Sequence, residues 1–191
     1  HYMGQVDVFL GDDTSMNLGM EVTQGRVQDL LRISGADLSW ATGQISGILN
    51  LSGDPENLDG DFDLELRDVE LIGEQFPAGS VSGWLTHGQM NLDHLALERW
   101  NGEEGVLARG TIGADWSANL DLTATGFQLE RLNHLQRVKL PMKGMLSIDA
   151  VIQGSVLEPQ PEGRIALREA SYGDYSLPAS TMNFHTEADQ I

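Results

Sequence analysis

The sequence has no cysteine, which removes disulfides, thiolate metal sites and cysteine nucleophiles together. It is also poor in positive charge, with 11 Lys and Arg against 29 Asp and Glu and a formal net charge of −18. A protein that grips nucleic acid by neutralising phosphates needs a basic face, so nucleic acid is excluded as a partner. Lysine occurs only at Lys139 and Lys143, and no glycine-rich loop ends in Gly-Lys-Ser or Gly-Lys-Thr to cradle a phosphate. Aromatic residues make up 6%, few for a sandwich of two facing sheets. No stretch reaches the ~18 apolar residues of a membrane-spanning helix. The opening His1-Tyr2-Met3-Gly4 lacks the charged head and apolar run of a secretory signal. The chain reads as a slice of a longer protein, with any anchor or targeting signal outside it.

What the sequence has in excess is glycine, 22 of 191 residues, where average usage of ~7% would give about 13. Hydrophobic residues, at 40%, suffice for a core. The dominant period is two. Phe62, Leu64 and Leu66 alternate with Asp61, Asp63, Glu65 and Arg67, the pattern of a strand with one face buried and the other in water. Leu120-Asp121-Leu122-Thr123-Ala124 repeats it, as do Leu146, Ile148, Ala150 and Ile152, and Ile165-Ala166-Leu167-Arg168 is a shorter copy. Less regular strands are expected at 5–10, 17–23, 45–51, 81–85, 90–97, 106–112 and 180–185. Turns are expected at Gly53-Asp54-Pro55, 75–79, Trp100-Asn101-Gly102 and 158–163. Phe127 to Val138, with Leu129, Leu132 and Leu135 three apart, predicts a short amphipathic helix ending before Pro141. Val27 to Leu31 predicts one more helical turn. The fold class is therefore all-β, an antiparallel meander with one or two short helices.

Laying Gly47 onward over Gly144 onward shows internal repetition. Each copy has a strand, a Gly…Pro…Gly segment, a second strand ending in Leu-Arg-acid-small (Leu66-Arg67-Asp68-Val69; Leu167-Arg168-Glu169-Ala170), a glycine turn, and a proline before the next strand. Such repetition points to an array whose members cannot bury their apolar face alone. The whole of 1–191 is read as one β-rich slice with repeat units near 44–100 and 126–191.

Candidate chemistry is sparse. The acidic run Asp54 to Asp63 offers oxygen ligands for calcium, yet placing Gly60 at position six of an EF-hand loop puts Pro55 at position one and Leu66 at position twelve, so the template fails. Solvated strand face is the preferred reading. The histidines at 1, 87, 94, 134 and 185 lack the spacing of a metalloprotease pair, and Asp93-His94 are strand neighbours expected on opposite faces. No serine lies in Gly-x-Ser-x-Gly. A carbohydrate-active site would need paired carboxylates flanked by stacking aromatics, whereas Trp40, Trp84, Trp100 and Trp116 are scattered singly. The chain is read as no enzyme, with no cofactor and no metal. The apolar stripe remains, and its residues are mostly small and aliphatic, with Met90, Met142, Met145 and Met182 adding adaptable thioethers. Such strands either coil into a trough lined with alkyl groups or fill their own core.

Phe127–Phe184 carries a resemblance. Gly126-Phe127-Gln128-Leu129-Glu130-Arg131-Leu132, then Lys143-Gly144-Met145-Leu146, Ile152-Gln153-Gly154, Pro159 to Gly163, Ile165-Ala166-Leu167 and Leu177-Pro178 together resemble a unit of the AsmA-like/TamB superfamily. Gly47–Val81 is similar, with Phe76-Pro77 in place of Leu177-Pro178. The likeness covers about two thirds of the chain, and its motifs specify architecture rather than a site. It implies a periplasmic rod anchored in the inner membrane by a helix outside this chain, with a sheet folded like a taco around a hydrophobic groove for phospholipids. It also implies a role in outer-membrane biogenesis as part of a translocation and assembly module, with an Omp85-type barrel as partner through regions outside this chain. The residues expected to meet acyl chains are Leu49, Leu51, Phe62, Leu64, Leu66, Leu120, Leu122, Leu146, Ile148, Ile152, Ile165 and Leu167. The alternative is a structural or adhesin-like β-solenoid, or a protein-docking scaffold, with a self-filled core.

Overall fold

The computed structural model describes residues 2–9, 15–29, 41–54, 57–156 and 158–186. Its strands are β1 (Tyr2–Phe9), β2 (Ser15–Arg26), β3 (Ala41–Asp54), β4 (Asn57–Leu71), β5 (Glu74–Thr86), β6 (Gln89–Arg99), β7 (Glu104–Ile112), β8 (Ser117–Gln128), β9 (Met142–Ser155), β10 (Glu158–Tyr172), β11 (Tyr175–Ser176) and β12 (Ser180–His185). They form a single antiparallel sheet in which β1 to β11 lie in sequence order and β12 also pairs with β10. Each of β2 to β11 pairs with the one before it, mostly across short connections, because the inward period of two holds from strand to strand. Among the described residues, helical structure is confined to two 3-10 turns, Trp100–Gly102 and Leu129–Arg131, the helix α1 (Asn133–Arg137) and a turn at 27–29.

The sheet is curled and unclosed. Phe76 on β5 and Phe127 on β8 are three strands apart, ~14 Å in a flat sheet, yet their ring centroids approach to 6.3 Å edge to face. The concave face carries two apolar clusters, one around Val22, Ile45, Leu66, Phe76, Leu97 and Val106, the other around Phe62, Leu64, Leu92 and Ala108.

Bulges bend the strands, and they explain the internal repeat. Asp68 (φ 49°) and Glu169 (φ 51°) both adopt the left-handed conformation, each as the acid of a Leu-Arg-acid-small motif. Opposite them stand Gly43 and Gly144, where an added Cβ would meet Val69 and Ala170 respectively at 3.0 Å and 2.8 Å. The ladder register shifts at both places, between Thr42 and Gln44 and between Arg168 and Ser171. The structural partner of Gly144 is thus Gly43, not the Gly47 that sequence overlay selects. Gly43 and Gly144 each precede the acid of their motif by 25 residues. The bulge is common to both copies, so the overlay slips by four residues only because it is anchored on the wrong glycine of a glycine-rich strand.

Three further expectations are corrected. Phe127–Val138 is not one helix: Phe127 and Gln128 end β8, and Leu132, extended at φ −72° and ψ 120°, separates the 3-10 turn from α1. Residues 75–79 and 158–163 lie within β5 and β10 rather than in turns. Pro77 is tolerated there because the ladder from β5 to β6 starts only at Ala78. Among the described residues, Pro159 and Pro161 have no strand partner on the side away from β9, since β12 joins β10 only from Glu162 onward, and a proline without N–H costs nothing on such an edge. Finally, Asp93 and His94 are both exposed. Asp93 is the extra residue of a bulge between Ser82↔His94 and Gly83↔Leu92, which cancels the strict alternation of faces. Residues 30 and 31 of the expected turn after Val27, Leu10, Trp40, Pro55 and Glu56 lie outside the described residues.

Candidate functional site

The alternation of the individual strands is brought into register by the ladders. Met20, Leu49, Phe62, Gly83, Leu92, Gly110, Leu120, Ile152 and Pro161 are successive cross-strand partners from β2 to β10. A second row runs Val22, Gly47, Leu64, Val81, Leu95, Ala108, Leu122, Ala150, Gly163 and Phe184, reaching β12. A third runs Ile45, Leu66, Gly79, Leu97, Val106, Ala124, Ile148, Ile165 and Met182. A fourth, nearer the other strand ends, runs Leu18, Leu51, Gly60, Leu85, Met90, Ile112, Ala118, Gly154 and Pro159. Directly opposed residues share a face, so these rows form one concave surface without a charged or hydrogen-bonding side chain. The convex face is its opposite: one of its rows reads Asn50, Asp61, Trp84, Asn91, Thr111, Asn119, Gln153 and Gln160.

All twelve residues singled out from the sequence stand on the concave face, with Leu146 and Leu167 paired beside the third row. They differ in cover. Phe62, Leu64 and Leu66 are buried at 7–8% exposure, whereas the other nine are half-buried. In β4 to β8 the face fills itself. Phe62 lies over Gly83, where an added Cβ would run into the Asn91 carbonyl oxygen of β6 and come within 2.8 Å of the Phe62 ring, so only glycine fits between the neighbouring backbone and the phenylalanine. Toward β9, β10 and β12 the same rows open, and Met182 is 60% exposed.

One lip of the concavity carries the charged groups absent from its floor. Arg99, at the end of β6, is buried between the rings of Phe76 and Phe127, 5.8 Å from each centroid. Its Nη1 donates to Glu74 Oε2 at 3.1 Å and its Nη2 to the Arg131 carbonyl at 3.3 Å. Glu104, at the start of β7, is fully buried, with Arg99 Nε at 3.6 Å and Arg131 Nη1 at 3.8 Å. Its Oε1 accepts the Gln128 N–H at 3.2 Å. Two guanidinia and a backbone donor supply the positive surroundings that a carboxylate out of water requires. Alternation reasoning missed Arg99 and Glu104 because a buried charge breaks the apolar pattern. Their signal in the sequence was a pair of opposite charges bracketing the tight turn at Trp100-Asn101-Gly102.

The convex face offers less. His94 sits between Ser80 and Ser82, its Nε2 and Nδ1 at 3.1 Å and 3.0 Å from the two hydroxyls, all on exposed strand. Asp61 accepts from Asn50 and Asp59 from the His87 N–H. Among the described residues, no three His, Cys, Asp or Glu side chains cluster as a metal site, and no helix is long and apolar enough to cross a membrane. A comparison of the chain with protein-family models, curated proteins and solved structures finds no match.

Proposed function

We propose that the concave face carries the acyl chains of phospholipids, in a segment of an inner-membrane-anchored, periplasm-spanning protein of the AsmA-like/TamB kind that contributes to outer-membrane biogenesis. The observation that carries this reading is the unbroken neutrality of four cross-strand rows, which run from strand to strand across the sheet. Alkyl burial yields ~25 cal/mol per Å² wherever the apolar surface lies, so a continuous lining makes a track without deep stops. A phosphate and its headgroup find no partner on that floor and stay in water at the lips. The outward carboxylates, with a net charge of −18 for the chain, limit non-specific adhesion to anionic membranes. An Omp85-type barrel would be met through regions outside this chain.

The test is a photo-crosslinking amino acid at Ile165 and at Leu64, with Arg164 and Asp63 as convex-face controls, in the full-length protein in cells. Covalent lipid at 165 and 64 but at neither control is the expected result. Lipid at none of the four, with folding confirmed by circular dichroism, sinks the proposal. A second reading has its own observation. The burial of Phe62, Leu64 and Leu66 by their neighbours favours a self-filled spacer or docking scaffold in β4 to β8, and lipid at 165 alone would confine the track to β9–β12.

A further inference from the structure

Between β8 and β9 the chain does not turn directly but folds back over the ends of β5 to β7. This strap, 129–137, is held mainly by polar contacts. Asn133 Nδ2 donates to the Gly73 carbonyl at 2.9 Å and the His134 N–H to Glu74 Oε1 at 3.3 Å, both reaching across to the β4–β5 turn. The strap's further tethers are Arg99 on the Arg131 carbonyl at 3.3 Å, the Gly144 N–H on Glu130 Oε2 at 3.2 Å, and Arg131 beside Glu103 and Glu104 at 3.9 Å and 3.8 Å. Its apolar hold is small: Leu132 packs against the cluster containing Val106, Leu129 is buried, and α1 buries no residue.

Three features mark the strap as a separable part. Solvent-open grooves flank it, one of about 660 Å³ bordered by Trp100, Arg131 and Asn133, the other of about 370 Å³ bordered by Leu129, Leu135 and Leu140. Close packing is what welds an element to a core, and among the described residues the grooves leave the strap no neighbouring element to pack against on either side. The charges beneath are incompletely bonded, since Glu104 Oε2 and Arg131 Nη1 are buried without a hydrogen-bond partner and rest 3.6–3.8 Å from the nearest opposite charges. A loosely closed buried ion pair returns little of its desolvation cost. Trp100, which the Arg131 guanidinium covers at 4.5 Å, takes a left-handed φ of 51°, a strained conformation for a bulky residue.

We infer that residues 129–137 form a gate that opens as a unit, without unfolding the sheet, and admits an alkyl chain sideways onto the apolar cluster beneath Leu132. This rests on the reading of the concave face as an acyl track. Glu74 and Asn133 are its latch. The polar tethers break and re-form in water at little net cost, because each net hydrogen bond contributes only about 1 kcal/mol.

The absence of cysteine allows a direct test with single thiols. V106C reports the cluster under the gate, and A118C, equally buried near the opposite ends of the strands, reports the sheet itself. Asn133→Ala in each background should speed maleimide labelling of V106C about fivefold or more and leave A118C unchanged. It should also speed uptake of a fluorescent NBD-phosphatidylglycerol from micelles. Labelling that rises at both thiols, or at neither, overturns the gate. Faster V106C labelling without faster lipid uptake overturns its role as an entrance, while crosslinking at position 165 judges the track independently.

Discussion

At the residue scale, the most telling position is Gly83, which is glycine because of what lies opposite. The Asn91 carbonyl oxygen and the Phe62 ring together fill the space a side chain would need, the ring at a Cβ contact of 2.8 Å, tighter than real Cβ atoms tolerate, and the backbone oxygen closer still. Gly83→Val should therefore lower stability by ~1–3 kcal/mol, read as a lower urea midpoint, and Phe62→Ala by ~3–5 kcal/mol through the cavity it leaves. An unchanged midpoint for Gly83→Val would mean that the β6 backbone at Asn91 and the Phe62 ring both have room to move aside. The exposed turn before β8 shows electrostatics at the same scale. The Ser117 hydroxyl and N–H donate to Asp115 Oδ1 at 2.6 Å and 3.0 Å, and these bonds hold the Asp115 carboxyl below the ordinary aspartate value. A depressed carboxylate contributes its stabilisation above the unfolded-state value and loses it as pH falls through the lowered folded-state one. The Asp115 titration followed by carboxyl carbon NMR should thus have a low midpoint that rises in Ser117→Ala. Equal midpoints in the two proteins would exclude the hydroxyl as the cause.

At the element scale, the two Leu-Arg-acid-small motifs show a local sequence doing one structural job twice. Asp68 and Glu169 hold the left-handed turn of a bulge, and Gly43 and Gly144 give it space on the neighbouring strand. A left-handed conformation costs a residue with a Cβ ~1–2 kcal/mol. Glu169→Gly should raise the urea midpoint and Glu169→Val lower it, since a β-branched residue fits that region worst; the reverse order would exclude the bulge as the site of strain. This pair was legible as a repeat but not as geometry. The bulge is common to both copies and cancels between them. The overlay at Gly47 slipped by four residues because Gly43 and Gly47 look alike in the sequence and only the cross-strand pairing tells which one faces the bulge. The 127–138 segment failed by a different route. Leucines three apart satisfy a helical stripe, but Phe127 and Gln128 are recruited into the ladder with β9 at Leu146 and Met145, leaving five residues for α1. Tertiary pairing outweighs the weak helix propensity of so short a piece.

At the scale of the whole molecule, charge and edges govern behaviour. A net charge of −18 over 191 residues repels itself in the folded state more than in the expanded one, and salt screens that repulsion within a Debye length of ~10 Å at 0.1 M. Raising NaCl from low ionic strength to about 0.15 M, near-physiological strength, should raise the melting temperature. A fall would mean that exposed pairs such as Arg109–Asp121 and Arg164–Asp149 outweigh the general repulsion. Among the described residues, the stretch of β10 before β12 joins has no strand partner on its outer side, and Pro159 and Pro161 guard it, a common defence against edge-to-edge association. Replacing both with threonine should increase concentration-dependent self-association in sedimentation velocity, and no change would mean that this edge is already shielded.

The sequence by itself determined the class of fold and the identity of its inward residues. A period of two needs no partner to be visible, and the twelve apolar positions chosen by alternation all stand on the concave face. The sequence also determined what the chain cannot do with thiols or with a basic surface. The tertiary structure alone decided how much of that face is covered, because cover depends on curvature and on which side chain leans over which glycine. It decided the lip as well, where Arg99, Glu104, Glu74 and the strap meet from positions up to 60 residues apart. Buried charges of that kind are tolerated only when folding brings their partners to them, and no single segment of the chain carries that information.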